Sequence, residues 1–301
     1  MTTITQSFND DALLLVGHGS QDTEAIAEYH QFAERVAAHL QLPVYPCFLE
    51  FTDPSIVEGI RACIEAGTQR IVALPLFLGA AGHQKNDVPV ILNWAKIQWP
   101  EVEFKYGIPL GAQPQIISVL AQRAEEAIAT SLTTVSTAET ALLIVGRGSL
   151  DPDSNSEVYK IARLLWEGRE YGWVEPAFYS LTPPNISAGI DRCVRLGARR
   201  VVVLPYLLFT GAICQRTGEQ ARTAQAQYPE VEILVADHLG LHPEVIVAVA
   251  YRYQEVVAGT ATMTCDVCKY RHRLVGFEHE YGLPQGSDHH HGLRGVPHTH
   301  G

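Results

Sequence analysis

Ala12-Leu13-Leu14-Leu15-Val16-Gly17-His18-Gly19-Ser20 returns as Ala141-Leu142-Leu143-Ile144-Val145-Gly146-Arg147-Gly148-Ser149, 129 positions later. Further along, Thr52-Asp53-Pro54 pairs with Thr182-Pro183-Pro184 at a spacing of 130. Gly59, Cys63, Gly67, Leu74 and Pro75 recur as Gly189, Cys193, Gly197, Leu204 and Pro205. Pro100–Glu103 recurs as Pro229–Glu232, and Leu110-Gly111 and Arg123 recur as Leu239-Gly240 and Arg252. Matches kept in this order mark a duplication. Two homologous domains follow, residues 10–128 and 141–258. The Ser/Thr/Ala-rich segment 129–140 reads as a linker, and residues 259–301 lie outside the repeat.

Within the first repeat, Leu13–Val16 is a short continuous apolar run, as in a strand buried on both faces. Ala25, Ile26, Tyr29, Phe32, Ala33 and Val36 then keep helical spacing. Val44–Leu49 is a second strand, weakened by Pro46. Asp53-Pro54 reads as a helix N-cap followed by proline at the first helical position, with Gly67 as the stop. Ile71–Leu76 and Val102–Tyr106 read as further strands, with helices near Val88–Trp99 and Gln113–Ala127. Alternation with short links means a mostly parallel sheet covered by helices on both faces. The expected fold is α/β: two tandem domains, each a four-stranded sheet flanked by helices, followed by a flexible C-terminal tail.

The chain has 301 residues, is 47% apolar and carries a formal net charge of -11. Such a chain folds, and its negative charge disfavours nucleic acid. No apolar run approaches the roughly 18 residues of a membrane span. Asp10 and Asp11 precede the first apolar stretch, which argues against a secretory signal. Six cysteines do not form a disulfide scaffold, so the expected compartment is the cytoplasm.

Ligands of open α/β sheets bind outside the carboxyl ends of the strands. His18 follows the first strand by two residues, Glu50 follows the second, and His83 lies in the Gly-rich turn after the third. Two imidazoles and a carboxylate at one rim could bind a divalent metal or move protons. A lone histidine in such a loop is commonly a helix cap or a surface residue, and Glu50 alone reads as a helix-terminus or solvent-facing group. Gly17-His18-Gly19 is no dinucleotide fingerprint, because Asp22 stands where its third glycine would be.

The second repeat lacks this set. Arg147 replaces His18, Ser180 replaces Glu50, and Ala212 or Ile213 stands at the His83 position. The chemistry is therefore assigned to the first repeat. Residues 1–128 carry 7 Lys/Arg against 15 Asp/Glu, and residues 141–258 carry 11 against 13. Arg147 and Arg216 fall at the second rim, where arginine suits carboxylate recognition. Arg199 and Arg200, at the amino end of a strand, are expected on a solvated face.

Gly17-His18-Gly19-Ser20, Phe48-Leu49-Glu50 and Leu74–Leu78 leading into Gly82-His83 resemble the class II chelatases, in the long two-repeat form of the CbiX/SirB sirohydrochlorin chelatases. The resemblance covers both repeats and reaches the tail. It implies a lyase that inserts a divalent metal into sirohydrochlorin without ATP: Co²⁺ on the way to cobalamin, or Fe²⁺ on the way to sirohaem. The His-rich tail tilts the expectation toward the cobaltochelatase. The family's two active-site histidines match His18 and His83, and the short one-repeat relatives dimerise, so this chain looks like a fused dimer with one site retained. Insertion must strip water from the metal and remove two pyrrole protons, and a neutral imidazole can serve both ends. Glu50 is the weaker candidate for a second base or ligand. Sirohydrochlorin is rich in carboxylates, for which Arg147 and Arg216 offer local cations.

Residues 272–301 hold seven of the thirteen histidines: His272, His279, His289, His290, His291, His298 and His300. Among Gly, Pro and Asp, these read as a flexible metal-binding segment; the run of three is short for an expression tag. Cys265 and Cys268, in Met263-x-Cys-x-x-Cys, could share a metal, but a closed site needs four ligands. The other two could come from His272 and His279, or from a second chain. The long-form relatives carry an iron–sulfur cluster at this motif, which implies one here and allows a dimer through a shared cluster as well as a monomer. A redox pair lacks the surrounding βαβ unit. Cys63 and Cys193 are expected in the core. Two competing readings remain: a metal-storage or metallochaperone protein acting through the tail, and an α/β module binding a small anion.

Overall fold

The computed structural model describes residues 11–283 and 294–296. In the first sheet β1 (Asp11–Gly17) is buried along its whole length between β2 (Val44–Phe48) and β3 (Arg70–Pro75). β4 (Glu103–Tyr106) lies beyond β3, giving the parallel order β2-β1-β3-β4. Pro46 pairs with Leu15 from an edge strand, where its missing N–H can face outward. The chain leaves β1 toward one edge and returns to continue toward the other. The topological switch therefore falls between β1 and β3, where a crevice opens at the carboxyl ends.

α1 (Thr23–Leu40) buries Ala25, Tyr29, Phe32, Ala33 and Val36, and Asp22 caps it through the amides of Glu24 and Ala25. Ile26 stays half-buried. α2 (Ile56–Glu65) starts later than Asp53-Pro54 suggested. Its cap is Ser55, whose hydroxyl and the Glu58 carboxylate satisfy each other's backbone amides in a capping box. His83–Asp87 forms one π-helical turn that runs into α3 (Val88–Gln98). His83 thus opens a helical turn rather than sitting within the preceding glycine loop. Pro89 has no N–H to offer the Lys85 carbonyl, and the Val88 amide bonds His83 five residues back. α4 (Pro114–Ala129) ends the first repeat.

The second sheet repeats the pattern: β5 (Thr140–Gly146), α5 (Pro152–Trp166), β6 (Trp173–Phe178), α6 (Ile186–Arg195), β7 (Arg200–Pro205), α7 (Ala212–Gln225), β8 (Glu232–Val235) and α8 (Pro243–Ala258). Its order is β6-β5-β7-β8, again parallel. Arg200 corrects its expected solvated place. It is 3% exposed, pairs with Glu232 at 2.6 Å, and donates to Ser131 and to the Thr133 and Val135 carbonyls. The segment expected to be a linker therefore supplies acceptors to a buried guanidinium.

The compact units are cut differently from the repeats. One comprises the described parts of Met1–Leu110 and Val249–Gly301; the other is Gly111–Ala248. The first sheet is thus completed by the later turns of α8: Tyr253 donates to Asp11, which also pairs with Arg70. The second sheet takes α4. Each unit has its own core, with Leu14, Val16, Ile60, Ile71 and Ile91 in one and Leu143, Val145, Ile190, Val201 and Val203 in the other. Cys63 and Cys193 are fully buried at matching positions, and burial pushes both thiols up to about 12.

Beyond the repeats, Cys268 and Lys269 are buried, and Lys269 pairs with Glu280 at 2.7 Å. Arg294 bonds the Thr52 carbonyl at 2.6 Å and pairs with Asp53, while Val296 packs on the first core. His289, His290, His291, His298 and His300 lie outside the described residues. No helix among the described residues is long and apolar enough to cross a membrane.

Candidate active site

The loops that follow β1 and β2 are fastened together. The amides of Leu49 and Glu50 donate to the carbonyls of Gly17 and His18, both at 2.9 Å. The Thr52 hydroxyl accepts from the Ser20 amide at 3.0 Å and donates to the Ser20 carbonyl at 2.7 Å. Gly19 is required at this junction: it has φ +100°, and a Cβ there would fall 1.8 Å from the Glu50 carbonyl oxygen. These bonds hold His18 and Glu50 at one rim, beside the switch point.

His83 reaches the same place from the turn after β3. The His18 and His83 rings meet edge to face, centroids 4.9 Å apart and planes at 81°. His18 also stacks with Phe51, centroids 6.1 Å apart and planes at 25°. Phe51 has φ +60° and is 58% exposed, an uncommon backbone state for a bulky residue. His83 Nδ1 lies 2.6 Å from Oδ2 of Asp87, whose side chain is 4% exposed. The Asn86 amide donates to the other Asp87 oxygen at 2.8 Å. Tyr106 donates to the Gln84 carbonyl at 2.8 Å and ties the π-turn to β4, and burial lifts this phenol well above its ordinary range.

The two histidines expected at one rim are thus together. Glu50 shares the rim but does not complete a cage with them: among the described residues no three His, Cys, Asp or Glu side chains are grouped to hold a metal ion. The pair sets two imidazole rings side by side at this rim. Asp87 and Phe51 were missed in the sequence. Asp87 carried a signal, its place four residues after His83; Phe51 carried none, because its exposure depends on a left-handed backbone.

In the second unit Arg147 and Arg216 are exposed, and Arg216 donates to the Tyr179 hydroxyl at 3.2 Å. Leu181 occupies the position of Phe51, with φ +67°. Cys265 opens a single 3₁₀ turn and Cys268 follows it as the C-cap, the first half-buried and the second buried. His272 and His279 do not join them in a ligand group. Two thiols without further ligands among the described residues do not make the four-ligand set of a zinc site or an iron–sulfur cluster.

The fold and the site are those of a duplicated α/β protein with two histidines paired at a sheet switch point. The chain belongs to the CbiX family, whose model matches residues 12–127 and 141–256. It is 37% identical over 279 residues to the sirohydrochlorin cobaltochelatase of Priestia megaterium, covering 93% of this chain and 88% of that one. It is 35% identical over 234 residues to the sirohydrochlorin ferrochelatase of the same organism, covering 77% and 85%. Among solved structures it resembles SirB from Bacillus subtilis with Fe³⁺, with a TM-score of 0.72, 30% identity and coverage of 83% of this chain and 97% of that one.

Proposed function

We propose that this chain is a sirohydrochlorin cobaltochelatase, a cytoplasmic lyase that inserts Co²⁺ into the macrocycle without ATP. The observation that carries the reading is the meeting of His18 and His83, 4.9 Å apart at the rim of the first sheet. Two imidazoles can replace part of the metal's hydration shell while the ring approaches, and neutral imidazole accepts a proton near neutral pH. Each insertion releases two pyrrole protons and leaves the metal bound to the ring nitrogens. Glu50, at the same rim, serves as a second acceptor for those protons. Arg147 and Arg216 recognise the substrate's peripheral carboxylates.

Both relatives are sirohydrochlorin chelatases, and the cobaltochelatase matches more of this chain, 93% at 37% identity against 77% at 35% for the ferrochelatase. Fe²⁺ insertion is therefore the second reading, and the His-rich composition of residues 272–301 favours cobalt, since imidazole suits that ion. The test follows sirohydrochlorin absorbance anaerobically with purified protein and either ion, against a protein carrying His18→Ala and His83→Ala. Faster insertion than the double variant supports the chelatase, and the ratio of rates assigns the metal. Equal rates overturn it and leave a metal-storage role.

A further inference from the structure

We propose that Asp87 is a positioning residue that locks His83 in the Nδ1–H tautomer and so presents Nε2 to the substrate metal. The inference rests on the chelatase reading for its consequence in turnover, and on geometry alone for the tautomer.

A carboxylate only accepts hydrogen bonds, so the 2.6 Å contact requires the proton on His83 Nδ1. Both Asp87 oxygens accept, one from His83 and one from the Asn86 amide, which fixes the plane of the carboxylate. The side chain is 4% exposed, so water does not compete for these bonds. The π-turn delivers this arrangement. Its wider register sets His83 and Asp87 against each other across one turn, and the Tyr106 bond to the Gln84 carbonyl braces it from β4. With Nδ1 engaged, Nε2 is the nitrogen left to meet an ion at the rim shared with His18. Metal-binding histidines held through their second nitrogen in this way lose roughly 10–100-fold in metal affinity when the partner is removed.

The experiment records the ¹⁵N imidazole spectrum of the full-length protein, with the His83 signal assigned by its loss in His83→Gln. Co²⁺ alone is then added to the wild type, Asp87→Asn and Asp87→Ala, and the concentration that broadens the His83 signal is read. In parallel, initial insertion rates are measured against Co²⁺ and against sirohydrochlorin. The wild type should show the Nδ1–H tautomer. Both variants should need roughly 10–100-fold more Co²⁺, with a matching rise in KM for Co²⁺ and no change in KM for sirohydrochlorin. A merely structural role would move both KM values and the melting temperature together. The inference is overturned by an Nε2–H tautomer in the wild type, or by an unchanged Co²⁺ dependence in both variants. If the variants do not fold, the wild-type tautomer decides it alone. A wild type that inserts no metal but keeps the Asp87-dependent His83 response sinks the chelatase reading and leaves this inference standing. An active wild type with unchanged variants does the reverse.

Discussion

The Arg252 guanidinium donates to the main-chain carbonyl of Leu110 at 2.6 Å, across 142 residues of sequence. Its counterpart Arg123 donates to the carbonyls of His238 and Leu239 at 3.0 and 3.4 Å. The arginine in the last helix of each repeat therefore fastens the loop after the last strand of the other. The duplication has become an exchange: each sheet is finished by the helix its own repeat does not supply.

A fragment cut at the compact-unit boundaries should fold where one cut at the repeat boundaries should not. Residues 111–248 are continuous and contain β5–β8 with α4. Residues 141–258 lack α4 and keep the turns of α8 that pack in the other unit. Circular dichroism and amide-proton dispersion should report a folded 111–248 and a poorly folded 141–258. A cooperative melt of 141–258 as a monomer would contradict the exchange.

The two-sheet fold was legible because buried parallel strands are continuous apolar runs and the repeat shows them twice. Leu110, Arg123, Leu239 and Arg252 were also visible as repeated residues, but repetition cannot say that the pairs are crossed. That depends on which sheet a helix packs against, a tertiary choice with no local signature. Arg200 was misplaced for a similar reason. Its acceptors are Glu232 and a segment some 65 to 69 residues earlier, so its position at a strand's amino end looked solvated. His18 and His83 were legible because topology alone brings the ends of β1 and β3 together. Asp87 required the π-turn.

Gly19→Ala and Gly148→Ala should destabilise the protein alike but differ in activity. At either site a Cβ would lie 1.8 Å from a carbonyl oxygen, of Glu50 and Ser180 respectively, and φ is positive at both. Each substitution should cost at least about 1–3 kcal/mol through backbone strain. Only the first displaces the loop that carries Glu50 and Phe51 beside His18. Thermal melts should fall for both variants, while at saturating sirohydrochlorin metal insertion per folded molecule should fall for Gly19→Ala and hold for Gly148→Ala, whose strained Arg147 loop should show only in KM for sirohydrochlorin.

The buried thiols predict a falling stability above pH 9. Cys63 and Cys193 are held up to about 12 in the folded protein, from an ordinary value of 9.0. Below pH 9 both thiols are protonated whether the chain is folded or not, and their burial carries no pH dependence. Between pH 9 and 12 the unfolded chain releases protons that the folded one retains, which favours unfolding. The melting temperature should decline through this window, and Cys63→Ala/Cys193→Ala should flatten the decline whatever its effect at pH 7. In the native protein at pH 8 these two thiols should resist iodoacetamide while the half-buried Cys265 reacts.

Phe51 should govern affinity for the tetrapyrrole rather than for the metal. Its ring lies nearly parallel to that of His18 and exposes 58% of its surface, held there by a left-handed backbone and by the Thr52–Ser20 bonds beside it. The same loop position in the second repeat carries Leu181 at 55% exposure, and there the neighbouring histidine is replaced by Arg147. The loop thus projects a side chain in both repeats, and the aromatic one stands where the histidines do. A flat conjugated substrate approaching His18 would meet that face, and an offset stack contributes about 0.5–1.5 kcal/mol. Phe51→Ala should therefore raise KM for sirohydrochlorin roughly 2- to 10-fold on that energy, leave KM for Co²⁺ in place, and restore most of the loss as Phe51→Tyr. Leu181→Ala should leave both KM values unchanged. An equal rise in both KM values for Phe51→Ala would mean that the ring serves only to hold His18.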